Sequence, residues 1–192
     1  MRNDAVIIGN GTSRLNFDLH KIKDKFVTYG CNALYRDFIP DYLISMDIHM
    51  VNEIINAKAH NLCKFYTQHV NDIDELQSKG ERINFVQTYV ATPDSGTAAV
   101  ELASKNEHNK IYIIGFDYHN CQNNNVYAGT INYQHKNYST PIVQDEKWRS
   151  RLYNIVKKYP NMYYIHVTDD DHIWSLNNLD YYTTQQFKEI LC

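Results

Sequence analysis

Asp4-Ala-Val-Ile-Ile-Gly-Asn-Gly-Thr-Ser-Arg-Leu15 is the stretch on which the reading of this chain turns. Ala5 to Ile8 is a short unbroken apolar run, as expected of a strand buried on both faces of a parallel sheet. Gly9 and Gly11 follow at once. Glycines at the carboxyl end of a first strand let the backbone turn tightly and approach a ligand. Thr12 or Ser13 is placed to cap a following helix, so Gly9, Asn10, Gly11, Thr12 and Ser13 form an expected phosphate-binding turn. The full dinucleotide fingerprint is missing, because Arg14 stands where a third glycine belongs and Asn32 lies near the place of the acidic ribose ligand.

Working outward, the same alternation recurs. Residues 26–29 predict a second strand ended by Gly30, and Cys31-Asn-Ala-Leu-Tyr35 a turn entering a helix. Residues 42–46 predict a third strand closed by Asp47, with a helix over 50–60. Further strands are expected at 64–67, 83–87, 110–117 and 162–167, and helices at 72–78, 98–105, 142–158 and 183–191. Asp94 or Ser95 is placed to cap the helix over 98–105. Strands alternating with helices imply one α/β domain over residues 1–192, a doubly wound, mainly parallel, Rossmann-like sheet. Ligands of such sheets gather past the carboxyl ends of the strands, where Asn10, Thr12, Ser13, Asn32, Asp47, Ser95, Asp117 and His119 fall. Residues 118–141 lose periodicity and are rich in Asn, Tyr, Gln and His, which predicts a long polar lid loop, mobile and closing over a ligand.

Composition narrows the function. The chain has 192 residues, 43% hydrophobic and 21% charged, enough for one sizeable core. Its formal net charge of -3, with acids and bases mixed, provides no basic stripe for nucleic acid. Cys31, Cys63, Cys121 and Cys192 are scattered without a C-x-x-C pair, so reduced thiols in a cytoplasm are expected, with neither a zinc ribbon nor a disulfide framework. No apolar run reaches the roughly 20 residues of a membrane span. A homo-oligomer stays open. The 16 tyrosines can hydrogen-bond a polar ligand without carrying net charge. Asp169-Asp-Asp-His172 offers metal-type ligands, but its spacing fits no metal site and reads as a solvated turn with a helix cap.

Three segments together carry a resemblance: Val6-Ile-Ile-Gly-Asn-Gly-Thr-Ser13, Cys31-Asn32, and Asp94-Ser-Gly96 followed by Ile111-Tyr-Ile-Ile-Gly-Phe-Asp-Tyr118. They are similar to the bacterial sialyltransferases of glycosyltransferase family 42. With Pro40-Asp-Tyr-Leu-Ile-Ser-Met-Asp47 added, the outline also resembles a Rossmann-like group that includes 6-hydroxymethylpterin diphosphokinases. The first resemblance implies a metal-independent, inverting transfer of sugar from a CMP-activated donor to a glycan or other hydroxyl acceptor. It implies that Asn10 and Asn32 hold the nucleotide, that Ser95 and Gly96 lie near the donor, that Tyr127 and Tyr133 steady the departing phosphate, and that His135 is the general base. Departures are plain: His119 stands where the family has a tyrosine and would add a donor to phosphate, Thr92 replaces an arginine, and His135 follows Tyr133 by two positions rather than three. The second resemblance implies ATP with magnesium held by Asp47 and Asp117, which in a transferase would only position substrate; a nucleotide-binding protein without catalysis is the third reading.

Overall fold

The computed structural model describes residues 3–68, 77, 82–89, 93–118, 124–135, 142–169 and 174–192, apart from the side chains of residues 142, 143 and 145. Eight strands form one sheet: β1 (Ala5–Ile8), β2 (Val27–Cys31), β3 (Tyr42–Ile44), β4 (Lys64–Thr67), β5 (Asn84–Phe85), β6 (Lys110–Ile114), β7 (Tyr163–Val167) and β8 (Leu179–Tyr182). Every pairing is parallel, and the spatial order is β5-β4-β3-β2-β1-β6-β7-β8. The chain therefore winds outward from β1 to one edge, returns, and winds to the other edge from β6. The sheet is Rossmann-like, and its topological switch point lies between β1 and β6.

Period-two alternation divides the core. Ala5, Ile7, Ile111 and Ile113 face one way, under α3 (Ser95–Lys105) and α4 (Ile142–Lys158). Val6, Ile8, Tyr112 and Ile114 face the other way, under α1 (Leu19–Lys25) and α5 (Thr184–Leu191). Leu43 and Phe65 continue that second layer beneath α2 (Ile48–Asn56), whose buried Met50, Val51, Ile54 and Ile55 recur at helical spacing. Ala98, Ala99 and Ala103 let α3 lie close on the sheet.

Several expected boundaries move. Gly30 lies inside β2 rather than ending it, and the space a side chain would need there is taken by Leu34 and Pro40. The helix after Asp47 begins at Ile48, and the strand after Lys110 stops at Ile114, where Gly115 takes a positive φ of 69°. β8 was not expected from the sequence. The helix expected over 72–78 lies outside the described residues, Gln77 excepted. Asp169 accepts hydrogen bonds from the Thr184 backbone N–H (2.9 Å) and hydroxyl (2.6 Å) at the start of α5, so the one described carboxylate of that acidic cluster serves a helix terminus.

Candidate functional site

The turn after β1 is closed by the protein itself. Gly9 N–H donates to the Ile114 carbonyl at 2.8 Å and Gly11 N–H to the Gly115 carbonyl at 2.9 Å. A methyl group on Gly9 would collide with the Gly115 carbonyl oxygen, and one on Gly11 would lie 2.5 Å from Asp117 Cγ. The glycines therefore serve the contact between the β1 and β6 turns, and their open faces meet protein. Nor do Thr12 and Ser13 cap a helix: they lie within a short 3₁₀ turn (Thr12–Asn16) whose N-cap, Gly11, has no side chain to offer. Asp117 supplies the missing acceptor, taking the Ser13 backbone N–H at 2.8 Å and the Ser13 hydroxyl, with Thr12 Oγ1 at 3.5 Å. A carboxylate of the chain thus occupies the place where a phosphate was expected.

The turn after β2 is built differently. Asn32 opens a second 3₁₀ turn (Asn32–Arg36) in the left-handed conformation, φ 51°, which asparagine tolerates better than most residues. Its Oδ1 accepts from the hydroxyls of Ser45 at 3.0 Å and Ser95 at 2.7 Å, while Ser95 Oγ accepts from the Met46 backbone N–H at 3.0 Å. With the Ser45 and Ser95 hydroxyls both donating to Oδ1, the oxygen side of the Asn32 amide faces the two serines. The Asn32 NH₂ group is left without a hydrogen bond among the described residues. Ser95, at the start of α3 behind its cap Asp94, is buried, and Gly96 packs on Phe116. Asp94 bonds the Thr97 N–H at 2.8 Å and pairs with Arg151 at 3.3 Å.

Asn10 sits between the two turns, 9% exposed. Its Nδ2 donates to the Cys31 carbonyl (3.1 Å) and to Tyr133 Oη (3.3 Å), and its Oδ1, held away from that carbonyl, has no hydrogen-bond partner among the described residues. Tyr133 Oη also accepts from Ala33 N–H at 3.4 Å, so the hydroxyl proton of Tyr133 is not donated to any described residue. Burial pushes the Tyr133 pKa up to about 12 and keeps that proton on at neutral pH. Three groups of these two turns and the segment beside them thus keep unspent capacity: one acceptor on Asn10, and donors on Asn32 and Tyr133.

Tyr127 has another place. Its hydroxyl donates to Asp37 Oδ2 (2.6 Å) and accepts from Arg14 Nη2 (2.7 Å), and it is core rather than loop surface. Burial, then the bond to Asp37, raise its pKa well above the usual tyrosine value. Arg14 and Asp37 were not picked out from the sequence. Arg14 is 2% exposed, pairs with Asp37 at 2.8 Å, and leaves Nε and Nη1 without hydrogen-bond partners among the described residues. A signal existed, since a cation at the third position of a buried glycine-type turn demands a reason.

The described part of the expected lid, residues 124–135, is docked. Thr12 N–H donates to the Asn124 carbonyl and Val126 N–H to that of Asn10, each at 2.8 Å. Arg36 reaches Thr130 Oγ1 (2.7 Å) and the Ile131 carbonyl (3.0 Å), and its other N–H groups bond Glu53. Glu53 also receives Tyr35 and Asn132. Buried Tyr127 and Ala128 supply the apolar area that the polar composition concealed. This part of the segment is a strap across the β1 and β2 turns. His135 lies exposed at its end; His119 and Thr92 lie outside the described residues. Asp47 is exposed and caps α2, accepting from His49 and Met50 N–H at 2.8 and 3.3 Å. No cluster of metal-type ligands occurs among the described residues, and none of their helices is long and apolar enough to cross a membrane.

Fold and site together define an all-parallel, doubly wound α/β domain with a polar cluster beside its switch point. Comparison with family models, curated proteins and solved structures finds no match for the chain.

Proposed function

We propose that this protein binds a cytidine nucleotide at the Asn32 turn and transfers a sugar from a CMP-activated donor to an acceptor hydroxyl. The observation that carries the reading is the unspent hydrogen-bonding capacity of Asn10 Oδ1 and the Asn32 NH₂ group, just past the carboxyl ends of β1 and β2, and of the Tyr133 hydroxyl that meets Asn10. Asn10 Oδ1 is buried, a buried acceptor left unpaired is costly, and a ligand that pairs it removes the cost. The resemblance of Gly9-Asn-Gly11, Cys31-Asn32 and Ser95-Gly96 to family 42 supports the cytidine donor.

In that chemistry the bond from the anomeric carbon to the phosphate breaks, and charge grows on the phosphate oxygens. Fixed neutral donors such as Tyr133 and Asn32 suit that charge because they need little reorganisation when it develops. The diphosphokinase reading is weaker on two observations: Asp117 is engaged by the first turn, and Asp47 by the start of α2, so neither carboxylate stands ready for magnesium. Calorimetric titration tests the choice. CMP is expected to bind without added divalent metal; binding of ATP with magnesium and none of CMP would move the assignment to the diphosphokinase class.

A further inference from the structure

Toward the amino ends of the strands, away from the two turns, the sheet holds a second buried polar network. Tyr29 of β2 is fully buried, and its ring stacks on that of Tyr42 in β3 with centroids 4.5 Å apart. Its hydroxyl meets two groups from the connection between α3 and β6: Asn106 Nδ2 donates to it at 2.8 Å, and His108 Nε2 lies 2.8 Å away. The His108 ring also hydrogen-bonds the Asn3 backbone, and because that bond favours the charged ring, the ring is its donor. A neutral imidazole has one N–H. With that N–H spent on Asn3, the nitrogen facing Tyr29 is an acceptor, and it takes the proton of the Tyr29 hydroxyl.

The network joins three parts of the chain. The Asn109 N–H donates to the Asn3 carbonyl and the Val27 N–H to that of Asp4, each at 3.0 Å, and His108 bridges Asn3 to β2 through Tyr29. This arrangement holds only while His108 is neutral. An imidazolium donates from both nitrogens, so the Tyr29 proton loses its acceptor, and Tyr29 lies too deep for bulk water to replace it. The groups around the ring do not offset that loss. Burial is the largest influence and holds the His108 pKa below the ordinary histidine value, although the Asn3 bond and the Asp4 carboxylate both favour the cation. From β3, Tyr42 brings its ring, and Asp41 is engaged by the Thr28 backbone N–H (2.8 Å) and hydroxyl (2.9 Å). Glu107 and Lys110, to either side in the connection, are exposed.

We propose that Tyr29 and His108 form a proton-operated lock, which at neutral pH fastens residues 3–4 and the connection between α3 and β6 to β2, and which releases them when His108 is protonated. A group whose folded pKa is depressed contributes stability above its unfolded pKa and loses it as pH falls through the folded value. The lock therefore begins to open near the unfolded histidine value of about 6.5, above the range in which carboxyls titrate. What opens is local: the hydrogen bonds of Asn109 and Val27 to residues 3 and 4 go, while the pairing of β1 with β2 and β6 over Ala5–Ile8 stays.

The test follows the imidazole resonance of His108 and the amide exchange of Asn109 and Val27 in the full chain as pH is lowered from about 7.5 to about 5, across the histidine range. His108 is expected to titrate below about 6.5, and protection of the two amides to fall by up to roughly 10-fold for each unit of that depression, with Ile7 unchanged. His108→Gln keeps an acceptor for the Tyr29 hydroxyl but does not titrate, so protection of the same amides should stay level. Tyr29→Phe keeps the stacked ring and removes the hydroxyl that the neutral imidazole accepts, so the His108 titration should move upward, a shift that lost packing alone would not give. Wild-type His108 titrating at or above about 6.5 overturns the lock, as does a His108→Gln protein whose amides lose protection as steeply as the wild type. A Tyr29→Phe protein with an unmoved His108 titration overturns the phenol as its partner, and the lock with it.

Discussion

The turn after β1 and the turn after β2 lie side by side, and they treat their polar atoms in opposite ways. After β1, the N–H groups of Gly9, Gly11 and Ser13 are all taken by the β6 turn, through the carbonyls of Ile114 and Gly115 and the carboxylate of Asp117. After β2, Asn32 is fixed from behind by Ser45 and Ser95, and its amide nitrogen is left over. The glycine-rich turn carries the stronger sequence signal for a ligand, yet it joins the two halves of the sheet. The asparagine turn carries the weaker signal, and keeps hydrogen-bonding capacity that the described residues do not use. Glycine reports only that something approaches closely; whether a phosphate or another strand's turn does so depends on what the fold delivers there.

The sharpest way to break this contrast is Gly9→Ala. The added methyl meets the backbone oxygen of Gly115, which cannot rotate away as a side chain could. A loss of about 1–3 kcal/mol in denaturant unfolding is expected, from overpacking against a fixed neighbour. A loss below about 0.5 kcal/mol, the level of an ordinary surface change, would mean that the two turns are not locked together.

A smaller effect sharpens the contrast from the side of the strap. Burial of Glu53 acts to raise its pKa, but hydrogen bonds from Tyr35, Arg36 and Asn132 outweigh it and hold the carboxyl below the ordinary glutamate range. A carboxyl with a depressed folded pKa contributes stability above its unfolded pKa, and loses it as pH falls through the folded value. The anchor of residues 130–132 should therefore weaken on acidification below the ordinary glutamate range, with faster hydrogen exchange at those amides and little change in β1 or β6. Uniform exchange behaviour across strap and sheet would remove the anchor from the account.

Ala5–Ile8 was legible because a strand buried on both faces is written as an apolar run, and Lys64–Thr67 and the helix Ile142–Lys158 also fall where the sequence puts them. β8 escaped because Leu179-Asp-Tyr-Tyr182 is an edge strand with only Leu179 buried, so neither alternation nor an apolar run marks it. The site was legible in part. Asn10, Asn32 and Ser95 were found from their place after strand ends, and they do come together. Tyr127 was read as a loop tyrosine because nothing local tells that Arg14 and Asp37, far away in sequence, close around its hydroxyl. Asp117 was read as a ligand to substrate or metal for the same reason: its partner Ser13 is 104 residues away.

The central claim is that the asparagine turn, and not the glycine turn, binds the nucleotide, and one calorimetric comparison addresses it directly. Asn32→Asp preserves the oxygen that Ser45 and Ser95 use and tolerates the left-handed backbone, but replaces the free N–H donors with a charged acceptor. Asp117→Asn alters the other turn by an equally small change in shape. The account predicts that CMP binds the wild-type protein, that Asn32→Asp weakens it roughly 10-fold to 100-fold, and that Asp117→Asn leaves it nearly unchanged. Equal CMP affinity in wild type and Asn32→Asp, with the loss appearing in Asp117→Asn, would contradict it.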